Sequence, residues 1–208
     1  MPRTDLVEGD DGRSRCAWGA NDPEYRRYHD EEWGTPQHDP GRLFEKVCLE
    51  GFQAGLSWIT VLRRRPAFRE VFYGFDAERV ASMTEADVER LLGDARIIRH
   101  RGKIEATIQN ARATLALEVP LDELLWGFAP PQRAAPLTFA ELPAVTAESE
   151  AMSTMLRKLG FRFVGPTTMY ALMQAAGMVD DHLAGCFRAG ATSTAIATPT
   201  LSGPTPAA

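Results

Sequence analysis

The stretch Leu43-Phe-Glu-Lys-Val-Cys-Leu-Glu-Gly-Phe-Gln-Ala-Gly-Leu-Ser-Trp-Ile-Thr-Val-Leu62 decides how the rest of this 208-residue chain is read. Leu43, Phe44, Val47, Cys48 and Gly51 recur at helical spacing, so one helix face is built for burial. Glu50 stands beside that face. On a continuous helix Glu50, Ala54, Ser57 and Val61 would form one strip, with Trp58 at its edge. Gly51 and Gly55 interrupt the run, which predicts two helices joined by a tight turn. In both cases a carboxylate lies close to apolar and aromatic surface, where it needs a partner or a task. Two readings stand: a structural glutamate answered by an arginine, or a functional one.

Upstream, Asp39-Pro40 and Asp22-Pro23 are helix starts, with Asp as cap and Pro at the first helical position. The helix after Pro23 carries Tyr25, Tyr28 and His29 within a turn and stops at Gly34. Two tyrosines at that spacing suit core packing or an aromatic pocket equally. Downstream, Arg65-Pro66 closes the central block. Helices are predicted over 66–73 and 84–92, stopped by Gly74 and Gly93. Then Ala95-Arg-Ile-Ile-Arg-His-Arg-Gly-Lys-Ile104 reads as a basic hairpin leading into a helix with Ile104, Ile108, Ala111 and Leu115 on one face. Backbone N–H groups near Gly102 could hold a phosphate. The alternative is a solvated basic loop. Short helices follow at 122–128, 149–159 and 167–176, with a proline-bearing surface connection over 129–142. Strand-like alternation is scarce, so the fold class is all-α, a single helical domain.

Two pairs of metal-ligand residues flank this domain. Cys16 and His29 lie near its start; His182 and Cys186 lie at its end and share one face if 182–186 is helical. Four such side chains would complete a tetrahedral zinc shell with no open position, hence a structural one. A coincidental pairing is the other reading. Cys48 belongs to an apolar face, and three widely separated cysteines make no disulfide framework. The start of the chain has no signal-peptide pattern and no run reaches transmembrane length, so the chain is expected in the cytoplasm, with no membrane partner. The net charge of −5 does not advertise a nucleic-acid binder, but the cations cluster, at Arg63–Arg65 and around His100. Residues 1–13 and 189–208, polar and Pro/Thr/Ala-rich, are expected to be a disordered lead-in and tail around a domain at 14–188.

Several segments together resemble the DNA-3-methyladenine glycosylase I family of the helix-hairpin-helix superfamily. They are Cys16-Ala-Trp18, Tyr25-Arg-Arg-Tyr-His-Asp-Glu-Glu-Trp-Gly34, residues 43–62, Ile97-Ile-Arg-His-Arg-Gly-Lys-Ile104, Gly160-Phe-Arg-Phe-Val-Gly165 and Asp181-His-Leu-Ala-Gly-Cys186. The likeness runs from about Arg15 to Arg188. It implies a monomeric, monofunctional glycosylase that flips 3-methyladenine out of double-stranded DNA containing alkylated bases and leaves an abasic site. It also implies one structural Zn²⁺ on Cys16, His29, His182 and Cys186, joining the ends of the domain. Glu50 would contact the target base, with Trp18, Tyr25, Tyr28 and Trp58 forming its pocket. Gly55 and Leu56 would wedge into the gap left by the flipped nucleotide, while Arg99, Arg101, Gly102 and Lys103 would grip the backbone. The family lacks the catalytic aspartate of most of its superfamily. No lysine is expected beside Glu50 and Trp58, which speaks against a Schiff-base lyase. A zinc-stapled DNA-binding module without chemistry would leave Glu50 unexplained, and a zinc hydrolase would need an open metal position.

Overall fold

The computed structural model describes residues 5–190; the expected tail beyond residue 190 and the first four residues of the lead-in lie outside that range. The element order is β1 (Leu6–Glu8), β2 (Ser14–Cys16), α1 (Pro23–Glu31), α2 (Pro40–Gln53), α3 (Trp58–Leu62), α4 (Arg65–Val71), α5 (Ala77–Ala81), α6 (Glu85–Leu92), α7 (Arg101–Leu115), α8 (Leu121–Trp126), α9 (Ala147–Lys158) and α10 (Pro166–Ala175). The fold is helical, as expected, with one addition. Residues 6–16 form a small antiparallel hairpin in which Leu6 pairs with Cys16 and Val7 with Arg15. The lead-in is therefore ordered over this stretch. Leu6 packs onto a small cluster of Cys16, Leu183 and Cys186, two of which the far end of the chain supplies.

The central helix is α2. The Asp39 carboxylate caps it by accepting from the Arg42 N–H at 2.8 Å, and Pro40 occupies its first turn. All ten residues from Leu43 to Phe52 are buried, because α3, α7, α8 and α10 pack around it. Leu43, Phe44, Val47, Leu49 and Phe52 enter the main core, against Phe68, Phe72, Ile104 and Met169 among others. At about 1.5–3 kcal/mol for each large apolar side chain taken from water, α2 is the main anchor of the domain. The helix breaks where glycine marked it: the chain turns over 54–57, with Gly55 at φ +79°, and restarts as α3.

The ends meet beside α10. After α1 the chain crosses to the C-terminal turn of α10, where Gly34 and Gln37 donate N–H bonds to the Gln174 and Ala176 carbonyls. Gly177, at φ +72°, has no room for a side chain: a Cβ there would lie 2.5 Å from the Pro36 nitrogen. Residues 182–186 form turns rather than the helix that spacing suggested. The connection over 129–142 does not merely lie on the surface either. Its Pro136 carbonyl accepts from the Ala184 N–H at 2.7 Å, and Arg133 reaches the buried Asp181 at 2.6 Å. No helix among the described residues is long and apolar enough to cross a membrane.

Candidate functional site

Glu50 lies on the buried middle of α2, 4 % exposed, and no arginine answers it. Its Oε2 has no hydrogen-bond partner among the described residues. Burial pushes its carboxyl up to about 8, with the Lys46 ammonium pulling the other way. The structural reading of this residue fails. It belongs instead to Glu45, which pairs with Arg69 at 2.8 Å.

The aromatic residues singled out in the sequence gather around Glu50. The Tyr25 hydroxyl accepts from the Ile59 N–H at 3.0 Å, fixing the start of α3 against α1. This sets the Trp58 ring 5.5 Å from that of Tyr28, tilted by 47°. Trp18, from the turn after β2, meets Tyr25 edge-on at 5.6 Å. Together these residues and Glu50 line a cleft of about 270 Å³, the size expected for one base-sized ligand. The indole Nε1 of Trp58 is a second buried polar atom without a partner. Six further wall residues escaped the sequence reading: Trp33, Gln53, Phe139, Leu142, Ala171 and Gln174. Trp33 was hidden because α1 ends at Glu31, so helical spacing from Tyr28 does not place it. Its ring stands 5.0 Å from that of Trp18.

A second, polar cavity of about 540 Å³ shares Tyr28, Glu50 and Trp58 with the cleft. Here a lysine does stand beside Glu50, contrary to expectation. Lys46, one turn earlier on α2, lines this cavity, and its ammonium donates to Glu32 at 2.9 Å. Arg65 binds the same carboxylate at 2.6 Å. Lys46 does not line the aromatic cleft.

Cys16, His29, His182 and Cys186 converge, all buried, with their ligand atoms within 4.8 Å of one another. Cys186 Sγ lies 3.5 Å from His29 Nε2 and 3.7 Å from His182 Nδ1, and Cys16 Sγ lies 3.9 Å from His182 Nδ1. Tetrahedral zinc at ordinary bond lengths separates its ligand atoms by about 3.3–3.8 Å. The outer partners suit a metal as well. His29 Nδ1 faces Asp30 at 2.8 Å, and Asp30 is held by Arg15. His182 Nε2 faces the Trp33 carbonyl at 3.2 Å. Each ring is thereby oriented with its other nitrogen toward the cluster. The Leu183 N–H donates to Cys16 Sγ at 3.4 Å, and the Cys16 proton and both imidazoles favour a thiolate at Cys186. The group can hold a metal ion.

The proposed DNA-facing residues divide. Gly55 and Leu56 are exposed at the tip of the α2–α3 turn, Leu56 at 42 %. Arg99 is exposed in the connection before α7, and Gly102 lies in the first turn of that helix. Lys103 is corrected: its ammonium points inward and donates to the Phe52 and Ala54 carbonyls at 2.9 and 2.6 Å. It caps the last turn of α2, whose carbonyls have no partner within the helix, and desolvation holds it below the ordinary lysine range. Arg101 is also engaged, with Glu85, Glu89 and Glu105.

The family model described as methyladenine glycosylase matches residues 18–189. The chain is 52 % identical over 177 residues to DNA-3-methyladenine glycosylase 1 of Escherichia coli (strain K12), covering 83 % of this chain and 95 % of that protein. A crystal structure of a 3-methyladenine DNA glycosylase I superposes with TM-score 0.81 at 50 % identity, covering 83 % of this chain and 98 % of the other. The Staphylococcus aureus 3-methyladenine DNA glycosylase I, solved for its recognition of 3-methyladenine, gives TM-score 0.80 at 36 % identity, covering 83 % and 95 %.

Proposed function

The chain belongs to the methyladenine glycosylase family, and from that premise we infer how its cleft acts on damaged DNA. It excises 3-methyladenine, as a hydrolase of N-glycosyl bonds. The observation that carries the reading is an unanswered, buried carboxylate among aromatic faces: Glu50 beside Tyr28 and Trp58.

Extruding a nucleotide from the stack costs a few kcal/mol, less at a damaged base. Adenine methylated at N3 is cationic in DNA. When its C1′–N9 bond breaks, the electron pair goes to the base and cancels that charge, so little acid catalysis is needed. Water supplies oxygen to C1′, loses a proton and leaves an abasic site. The pocket's part is to prefer the cation. Aromatic faces attract it by about 0.5–2 kcal/mol, and a charge-assisted hydrogen bond to Glu50 adds about 1.5–3 kcal/mol. Neutral adenine gains less of both and keeps its robust glycosidic bond.

Gly55 and Leu56 fill the gap in the stack, and Arg99 with the Gly102 backbone meets phosphate, α6 and α7 acting as the helix-hairpin-helix. Cys16, His29, His182 and Cys186 would hold one Zn²⁺. A filled shell leaves it a cross-link between the ends, not a catalyst. The working form is a cytoplasmic monomer acting on double-stranded DNA. The deciding experiment is release of free base from methylated DNA by purified protein, with and without chelator. No release from the metal-replete protein would overturn the function, and undiminished release and stability after metal removal would overturn the cross-link.

A further inference from the structure

Phe163 does what an aromatic side chain ordinarily avoids. Its backbone lies in the left-handed region at φ +56°, a genuine outlier for a bulky residue, and its ring remains 39 % exposed. The other two non-glycine residues with positive φ are Tyr73 and Phe75. They have packing reasons: Phe75 is buried in the core and Tyr73 carries the Arg79 guanidinium over its ring. The strain at Phe163 is held from outside. The buried Asn110 of α7 clamps the neighbouring backbone, accepting from the Arg162 N–H at 2.7 Å and donating to the Arg162 carbonyl at 3.1 Å.

The place it occupies is specific. Its Cβ rests on Gly51 of α2, and its ring lies beside Gly102 and meets His100 edge-on. Phe163 therefore stands between the last turn of α2, which leads into the α2–α3 turn, and the start of α7, beside both elements assigned to DNA above. Arg162 beside it is exposed and, like Arg99, has no carboxylate within ion-pair distance among the described residues. In the hairpin that leads into α7, by contrast, Arg96 and Arg101 are answered by carboxylates.

Resting on the glycosylase reading, we propose that the loop carrying Arg162 and Phe163 is a further DNA-contacting element. Phe163 lays its ring on the nucleotide stack next to the gap entered by Leu56, and Arg162 meets a phosphate. A strained, rigidly held aromatic flanked by free cations is suited to such a stack, since base–aromatic stacking is indifferent to sequence and needs little ordering on contact.

The test uses Phe163→Gly and Phe163→Asn, both tolerant of the left-handed conformation, with Arg162→Ala. Each is measured for binding to a duplex holding a tetrahydrofuran abasic analogue, for binding of free 3-methyladenine and for Tm. Both Phe163 variants are expected to bind the duplex about tenfold more weakly or worse, with unchanged affinity for the free base. Their Tm should hold, or rise for glycine, because strain is relieved. Arg162→Ala should lower the slope of log K against log salt by about one. Wild-type-like duplex binding by either Phe163 variant overturns the proposal, as do failure of both to fold and a Tm loss that accounts for weakened binding. A wild-type protein that releases no base would instead overturn the glycosylase reading itself.

Discussion

Glu50 makes two expectations at the scale of a residue. With its carboxyl pushed up to about 8 by burial, the free enzyme holds it mostly neutral at pH 7, whereas a cationic base selects the carboxylate. Excision, measured as kcat/KM, should therefore rise with pH toward a plateau above about 8. Glu50→Gln should excise far more slowly and lose that limb; an unchanged rate would mean the wrong carboxylate. The second expectation concerns stability. A carboxyl raised in the folded state binds more protons folded than unfolded, so its contribution weakens as pH rises from its ordinary value of 4.5 through about 8. Glu50→Gln should gain on the wild type across that window, by about a few kcal/mol at its top. Thermal melts of both proteins at several pH values check it. Trp58→Ala should weaken binding of free 3-methyladenine, read by titration, by about 1–3 kcal/mol, the worth of one base–aromatic stack, because the released base is neutral. That Glu50 sits by apolar surface was legible from its spacing on α2. That no arginine reaches it was not, because Glu45 and Glu50 leave the helix in different directions and only the former meets Arg69.

At the scale of elements, the α2–α3 turn owes its shape to a residue on another helix. The Lys103 ammonium holds the Phe52 and Ala54 carbonyls just ahead of Gly55 and Leu56. Lys103→Met should lower stability by about 1.5–3 kcal/mol in denaturant melts and weaken duplex binding through a loosened turn. Its salt slope should stay that of the wild type, since the ammonium meets no phosphate. Arg99→Ala should reduce that slope by about one, and Arg101→Ala by less, because three glutamates already answer it. The main helices could be read because their starts and stops are local chemistry: Asp22-Pro23, Asp39-Pro40, Gly93. The elements that escaped depend on distant partners. α5 is only five residues long, too short for a periodic signal. The β1–β2 hairpin has three-residue strands whose apolar contact, Leu183, is supplied by the other end of the chain. The turn at 182–186 is held by distant partners, the Pro136 carbonyl and Cys16 Sγ, rather than by helical periodicity, and the inward path of Lys103 is likewise a tertiary fact.

On the scale of the whole molecule, the cluster of Cys16, His29, His182 and Cys186 binds the first folded segment to the last. Cys186→Ser should abolish stoichiometric metal, read by elemental analysis, and lower stability by about 4–5 kcal/mol, the loop-closure value for a cross-link of this span. Retention of metal and Tm by that variant would rule out the cross-link. The same span has a consequence for synthesis. Cys16 and His182 are 166 residues apart, and a ribosome adding roughly 5–20 residues per second needs on the order of ten to thirty seconds to make the second after the first. Through that interval Trp18 and Trp33 belong to a nascent chain whose locking residues do not yet exist. A chain that stops before residue 182 lacks two of the four cluster residues, so it should fail to join its ends and to set Trp18 and Trp33 in the cleft wall.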